Sequence, residues 1–173
     1  FDAGTLKVTF GTGSFLLLNT GAERRASTRG LLTTLAVDRR GGVAYALEGG
    51  AFVCGALVQW LRDQLGFFAR SSEIEPLARS VSDSGGVFVV PAFAGLGAPY
   101  WDANARGAIL GLTRGSSRAH VARAALEAMA FQNAELVELL GAESGLALES
   151  LLADGGAAEN ELLMQLQADF TGL

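Results

Sequence analysis

Two glycine-containing turns hold the residues of this chain best suited to binding an anion. The first is Gly11-Thr12-Gly13, which lies between two apolar, strand-like runs. Glycine lets a ligand approach the backbone closely, and the Thr12 hydroxyl could donate a hydrogen bond to a phosphate. The same pattern is equally typical of a plain β-hairpin turn. The residues of this stretch alone leave both interpretations open.

The second turn lies in "DGGAAEN", residues 154–160, between a predicted strand and a predicted helix. Unpaired N–H groups in the first turn of that helix would attract an anion or the polar edge of a ring. Asn160, expected one turn into the helix, could hydrogen-bond a nucleobase or a ribose. The alternative is a simple strand–helix connection in which glycine relieves crowding, and double glycines of that kind are common.

Other kinds of site are poorly supported by the residues present. His120 is the only histidine, which argues against histidine-based metal sites and Ser-His-Asp triads. Cys54 has no basic neighbour in sequence that would favour a reactive thiolate. The Walker A pattern is absent, so any phosphate would be held by backbone N–H groups, a helix N-terminus or a metal.

Composition excludes two classes of partner. With 13 basic and 18 acidic residues, the net charge is −5, which argues against a nucleic-acid partner. No apolar run is long enough to predict a membrane span. A single cysteine fits a reducing compartment, so we expect a cytoplasmic protein.

Hydrophobic periodicity predicts a β-meander followed by alternating helices and strands, which is an α/β or α+β pattern. Gly49-Gly50 is expected to end the meander, and Gly141 to lie at the C-terminal end of the longest helix. The predicted strands cover 5–10, 15–20, 31–37, 43–48, 85–93 and 147–156. The predicted helices cover 51–65, 119–141 and 158–170.

Five stretches, together spanning nearly the whole chain and in the same order, resemble the FGGY carbohydrate kinases. They are "GTGSFLLLNTG" (11–21), "GLLTTLA" (30–36), "YALEGGAFVCGALVQWLRD" (45–63), "VVPAFAGLGAPYWDANARGAILGLTRG" (89–115) and "DGGAAENELLMQLQAD" (154–169). Residues 107–127 also fit the second signature of that family. The loop "PAFAGLGAPYWD" resembles the glycerol-phosphorylating branch, since the sugar kinases of the family carry a different loop there.

The resemblance implies an actin-like ATPase fold of the RNase-H type, with ATP and substrate between two domains. Residues 1–173 would be most of the second, nucleotide-side domain, with the first domain absent and the C-terminal end incomplete. The intact protein would convert glycerol to glycerol 3-phosphate with ATP and Mg²⁺ as cofactors, and it would be a homo-oligomer. The alternatives are a kinase of another polyol or sugar in the family, or a non-catalytic nucleotide-binding module.

The resemblance also assigns roles to individual residues. Thr12 would lie at the terminal phosphates, Phe15 would pack on the carbon backbone of glycerol, and the rest would hold the nucleotide. The predicted cofactor-binding residues are Thr12, Gly55, Gln59, Gly156 and Asn160. The resemblance places the catalytic Asp upstream of Phe1, so it implies no catalytic residue and no metal ligand in this chain, which alone should be inactive. Glu159 and Glu161 depart from the family pattern beside Asn160, where small or polar residues are usual.

Overall fold

The computed structural model describes residues 2–38 and 40–173. Four strands come first along the chain and are followed by alternating helices and strands, which is the predicted sequence of elements. The strands are β1 (Leu6–Phe10), β2 (Ser14–Gly21), β3 (Leu32–Val37), β4 (Val43–Ala51), β5 (Phe88–Val90), β6 (Ala108–Leu110) and β7 (Leu151–Asp154). The α-helices are α1 (Gly55–Asp63), α2 (Ile74–Arg79), α3 (Arg118–Ser144) and α4 (Glu161–Thr171), and short 3₁₀ turns occupy Ser71–Glu73 and Gly156–Glu159.

A five-stranded sheet in the order β3-β4-β2-β1-β7 is the centre of the fold. The first four strands pair antiparallel, but β4 lies between β2 and β3, so their order is not that of the predicted simple meander. β7 pairs parallel with β1. The register sets Thr9 of β1 opposite Asp154 of β7. Because the strands are parallel, their C-terminal ends meet at one edge of the sheet. The two glycine turns of the sequence therefore leave the sheet side by side.

One face of the sheet forms the core together with the helices. Leu6, Val8 and Phe10 alternate along β1 with no exposed surface, and they belong to the same cluster as Leu126 and Met129 of α3. Burying a side chain of this size contributes about 1.5–3 kcal/mol. The positions of both turns are consequently fixed by the packing of the strands that lead into them.

The glycine pair at 49–50 does not end the meander, contrary to expectation. It lies within β4, opposite Leu16 and Phe15 of β2, and α1 begins only at Gly55. A Cβ at Gly49 would come within 2.9 Å of the Leu136 side chain, and one at Gly50 within 3.0 Å of the Phe15 ring. These glycines make room for neighbouring side chains rather than for a turn.

The longest helix also ends later than predicted. It continues through Gly141 to Ser144, and Gly145 ends it with a left-handed φ of 63° and an N–H bond of 3.0 Å to the Gly141 carbonyl. Gly145 is therefore the residue that fulfils the C-terminal role expected of Gly141. At the other end, His120 Nδ1 accepts the Ser117 N–H at 3.1 Å, which gives the one histidine a capping role.

Short elements account for the remaining differences. Only Phe88–Val90 of the predicted strand 85–93 is extended, and it pairs with the unpredicted β6 in a separate two-stranded sheet. The six-residue α2 was not predicted either. Segments this short carry too few residues to display a period. No helix in the described ranges is long and apolar enough to cross a membrane.

Candidate functional site

A cleft of about 430 Å³ opens where the two glycine turns meet the helices. One wall is α1, a second is Ser71 and Ser72 with the start of α2, and a third is the turn leading into α4. All five residues predicted to bind a cofactor line it: Thr12, Gly55, Gln59, Gly156 and Asn160. The apolar part of the lining consists of Phe10, Val58, Ile74, Leu126, Met129 and Leu163. An apolar cavity with a few convergent polar groups is the usual form of a small-molecule site.

The first turn is joined to α1 through its own carbonyl groups. The Cys54 and Ala56 N–H groups donate to the Thr12 carbonyl oxygen at 2.8 and 3.1 Å, and the Gly55 N–H donates to the Gly11 carbonyl oxygen at 2.9 Å. The first N–H groups of α1 are thus satisfied by the protein itself, and they are not available to a phosphate. What this turn offers a ligand is the exposed Thr12 side chain.

Close packing explains two glycines of this region. A Cβ at Gly55 would lie 2.6 Å from the Gly11 carbonyl oxygen, and one at Gly13 would lie 2.5 Å from the Ala51 carbonyl oxygen. Both contacts involve backbone atoms, which cannot rotate away. Gly13 and Gly55 therefore allow the hairpin to pack tightly on the junction of β4 and α1, whereas Gly11, with only a backbone oxygen at 3.5 Å, is less crowded.

The two glycines of the second turn differ from each other. Gly155 has a φ of 92°, and a Cβ there would lie 2.4 Å from the Phe10 carbonyl oxygen. Gly156 has no atom within 4 Å of the position of a Cβ, and it lines the cleft. Gly155 thus serves the packing of β7 against β1, and Gly156 keeps the cleft open.

The N–H groups at the start of α4 are occupied, so the expectation that they are unpaired is wrong. The Glu161 and Leu162 N–H groups donate to the carboxylate of Glu75 at 3.1 Å each. The Leu163 N–H donates to Asn160 Oδ1 at 2.8 Å, which makes Asn160 the N-cap of the helix. Only the side-chain NH₂ group of Asn160 is then left to face a ligand. Glu75 is a residue that the sequence analysis missed.

Phe15, predicted to bind substrate, lies apart from the other five residues. It is on the face of β2 opposite the core, between buried Ser14 and Leu16, and half of its surface is exposed. Its ring packs over Gly50 of the adjacent strand. Phe15 does not line the cleft, and its role in substrate binding stays a prediction.

A buried polar pair anchors the hairpin beneath the first turn. The Ser14 hydroxyl donates to Asn133 Oδ1 of α3 at 2.6 Å, and the two residues are 1% and 0% exposed. The bond ties the start of β2, next to Thr12 and Phe15, to α3. Asn133 Nδ2 is buried without a hydrogen-bond partner.

Cys54, next to this pair, has an inert thiol. Burial raises the pKa of Cys54 to about 12, against smaller lowering effects of hydrogen bonds from Gly55 and Ser14. The thiolate is the reactive form, so we expect Cys54 to resist Ellman's reagent in the folded protein at mildly alkaline pH. The measurement is the release of thionitrobenzoate before and after addition of guanidinium. Stoichiometric release from the native protein would contradict the assignment.

The carboxylate that directly precedes the second turn is paired with a lysine. Lys7 Nζ lies 2.8 Å from the Asp154 carboxylate, and the hydrogen bond from Lys7 lowers the pKa of Asp154. This pair joins β1 to β7 immediately before the second turn. Within residues 2–38 and 40–173, no group of three or more His, Cys, Asp or Glu side chains could hold a metal ion.

Comparison with known proteins places these features in a family. Residues 6–173 match the C-terminal domain of the FGGY family of carbohydrate kinases. A glycerol kinase of Alkalilimnicola ehrlichii is 57% identical over 171 residues, which are 99% of this chain and 34% of that protein. A glycerol kinase of Shewanella amazonensis is 53% identical over 99% of the chain and 35% of its own length. The chain thus spans about a third of the length of the curated relatives it matches.

Solved structures agree with the sequence relatives. Plasmodium falciparum glycerol kinase with ADP has a TM-score of 0.88 and 40% identity, covering 97% of this chain and 34% of that chain. Xylulose kinase from Rhodospirillum rubrum has a TM-score of 0.82 and 25% identity, covering 99% and 34%. These likenesses confirm the predicted actin-like α/β fold. The chain belongs to the FGGY family of carbohydrate kinases, in the region of its C-terminal domain.

Proposed function

We propose that the intact protein containing this chain transfers a phosphoryl group from ATP to glycerol, forming glycerol 3-phosphate. In this proposal the chain is the nucleotide-side domain. The observation that carries it is the cleft, which gathers Thr12, Gly55, Gln59, Gly156 and Asn160 from three separate segments, the first turn, α1 and the second turn. The relatives named glycerol kinase, at 53–57% identity over nearly the whole chain, support glycerol as the acceptor.

The cleft fits a nucleotide in both shape and polarity. Open space beside Gly156 leaves room for the ligand next to the backbone, and the Asn160 NH₂ group can donate to a ring nitrogen or a ribose oxygen. The apolar part of the lining suits the faces of a nucleobase. At the other turn, the exposed Thr12 hydroxyl can donate to a terminal phosphate, and Gln59 offers a neutral amide on α1.

ATP, when bound, supplies the phosphoryl group. We propose that Mg²⁺ accompanies its phosphates, because a divalent cation neutralises the charge on the phosphoryl group during transfer. The exposed face of the Phe15 ring suits the C–H side of glycerol. The base that accepts the glycerol hydroxyl proton is proposed to lie outside residues 1–173. We further propose a cytoplasmic homo-oligomer.

The proposal is tested by assaying the purified intact protein with ATP, Mg²⁺ and a panel containing glycerol, a pentulose and gluconate. We expect glycerol to give the highest kcat/KM. Faster turnover of the pentulose or gluconate would assign the protein to another branch of the family. In the same assay, residues 1–173 alone should show no turnover, and glycerol phosphorylation by them would show that the base lies within this chain.

A further inference from the structure

Glu75 holds together two walls of the cleft that are distant in sequence. Its carboxylate accepts the Glu161 and Leu162 N–H groups, which lie 86 and 87 residues further along the chain, and the Arg79 guanidinium lies 2.8 Å from it. The side chain is 20% exposed. A carboxylate that accepts two backbone N–H groups at a helix N-terminus makes charge-assisted bonds and interacts favourably with the helix dipole.

The two elements joined by this carboxylate carry the nucleotide-facing residues. Glu75 lies on α2, directly after the Ser71–Glu73 turn, and Ser71, Ser72 and Ile74 line the cleft. Glu161 and Leu162 directly follow Asn160 in the opposite wall. The Glu75 carboxylate is therefore one of the contacts that set the separation of the two walls, in addition to the packing of both on α3.

The same carboxylate also affects which part of a ligand can bind at α4. Free N–H groups at a helix N-terminus attract phosphate. Here they are taken by a carboxylate whose charge Arg79 balances, so the start of α4 has no free N–H group to offer a phosphate. A neutral hydrogen-bonding group of the ligand, such as a ribose or a base edge, can still accept from the Asn160 NH₂ group.

We propose that Glu75 is a positioning residue for the nucleotide, helping to set the distance between α2 and the Asn160 wall and leaving no N–H group free for a phosphate at the start of α4. The inference rests on the proposed function, since it assumes a nucleotide in this cleft. It predicts an effect on ATP binding that is separate from any effect on the acceptor.

The test compares Glu75→Ala and Glu75→Gln with Glu73→Gln in the intact protein. Glu73 is a matched control because its carboxylate also binds an arginine, Arg70, and a backbone N–H, that of Ala69, but lies outside the cleft. Calorimetry gives the ATP affinity, steady-state kinetics give KM and kcat, and hydrogen exchange reports the 161–162 amides. The melting temperature of each variant shows that it is folded.

We expect Glu75→Ala to weaken ATP binding about tenfold, by loss of wall positioning, while kcat and the KM for glycerol change less than about twofold. Glu75→Gln keeps one acceptor oxygen and should fall between Glu75→Ala and the unmodified protein. The 161–162 amides should exchange faster in Glu75→Ala than in Glu73→Gln.

Equal ATP affinity in Glu75→Ala and Glu73→Gln would overturn the inference and leave the proposed function intact. A loss of kcat and of glycerol affinity as large as the loss of ATP affinity would reject a nucleotide-specific role. General damage to the fold would change all three of these quantities together. If the unmodified protein binds no ATP, the inference is rejected together with the proposed function. Should Glu75→Ala not fold, Glu75→Gln takes its place in the comparison with Glu73→Gln. Weaker ATP binding by Glu75→Gln would then support the inference, and equal ATP affinity of the two variants would overturn it.

Discussion

Replacing Gly156 with alanine is expected to weaken ATP binding by about tenfold, because the new methyl group occupies ligand space. Stability should be unchanged or slightly higher. The added Cβ meets no atom within 4 Å, and the φ of Gly156 is outside the left-handed region. Gly→Ala at such a position stabilises by about 0.4–1 kcal/mol, since the unfolded chain loses freedom. The measurements are the ATP dissociation constant and the urea midpoint of the intact protein.

Gly155→Ala is the matched control for this prediction. Its φ of 92° and its contact of 2.4 Å with the Phe10 carbonyl oxygen should lower stability by about 2–4 kcal/mol. Alanine at these two neighbouring positions is thus expected to change the free energy of unfolding in opposite directions. If Gly156→Ala bound ATP as tightly as the unmodified protein, the nucleotide would not lie against Gly156, and the proposed use of this turn would be wrong.

Gly55→Ala is expected to destabilise the protein by about 2–4 kcal/mol, despite favouring the helix locally. Helix propensity alone predicts a gain of about 1 kcal/mol, because Gly55 is the first residue of α1. The packing is decisive, since the added Cβ would lie 2.6 Å from the Gly11 carbonyl oxygen and displace the hairpin. Urea unfolding of the intact protein shows directly whether Gly55→Ala raises or lowers the free energy of unfolding.

A control for Gly55→Ala is Gly115→Ala, where the nearest atom to an added Cβ is Thr113 Oγ1 at 3.7 Å. We expect that change to stay within about 0.5 kcal/mol of the unmodified protein, as for most surface sites. A stabilised Gly55→Ala variant would show that the hairpin can move away from α1 at little cost. In that case the hydrogen bonds accepted by the Gly11 and Thr12 carbonyl oxygens would not hold Thr12 in place.

Much of the candidate site could be predicted from the sequence because its pieces are local. Thr12 lies in a hairpin turn, Gly156 in a strand–helix turn and Asn160 at a helix N-terminus, and each has a short-range pattern. The resemblance to the FGGY kinases then brought these pieces together as one nucleotide site. The structure places all of them along one cleft.

The partners of these residues could not be predicted in the same way. Ser14 and Asn133 are 119 residues apart, and Glu75 is 86 residues from the amide it binds. Nothing in the local pattern around either residue specifies such a pairing. The role of Gly49 and Gly50 could not be predicted from the local sequence for a related reason. The need for glycine at these positions comes from the side chains of Leu136 and Phe15 on other elements.

The parallel pairing of β1 with β7 has a consequence for the order of events during synthesis. Leu6 pairs with Leu151, so the turns that follow β1 and β7 form adjacent parts of the cleft. Contacts between residues so distant in sequence tend to form slowly, since a long loop must close first. On the ribosome, the meander can assemble while the later helices are still being made, but the cleft cannot. A nascent chain should therefore complete this cleft, the proposed nucleotide site, only after residues 151–171 have left the exit tunnel.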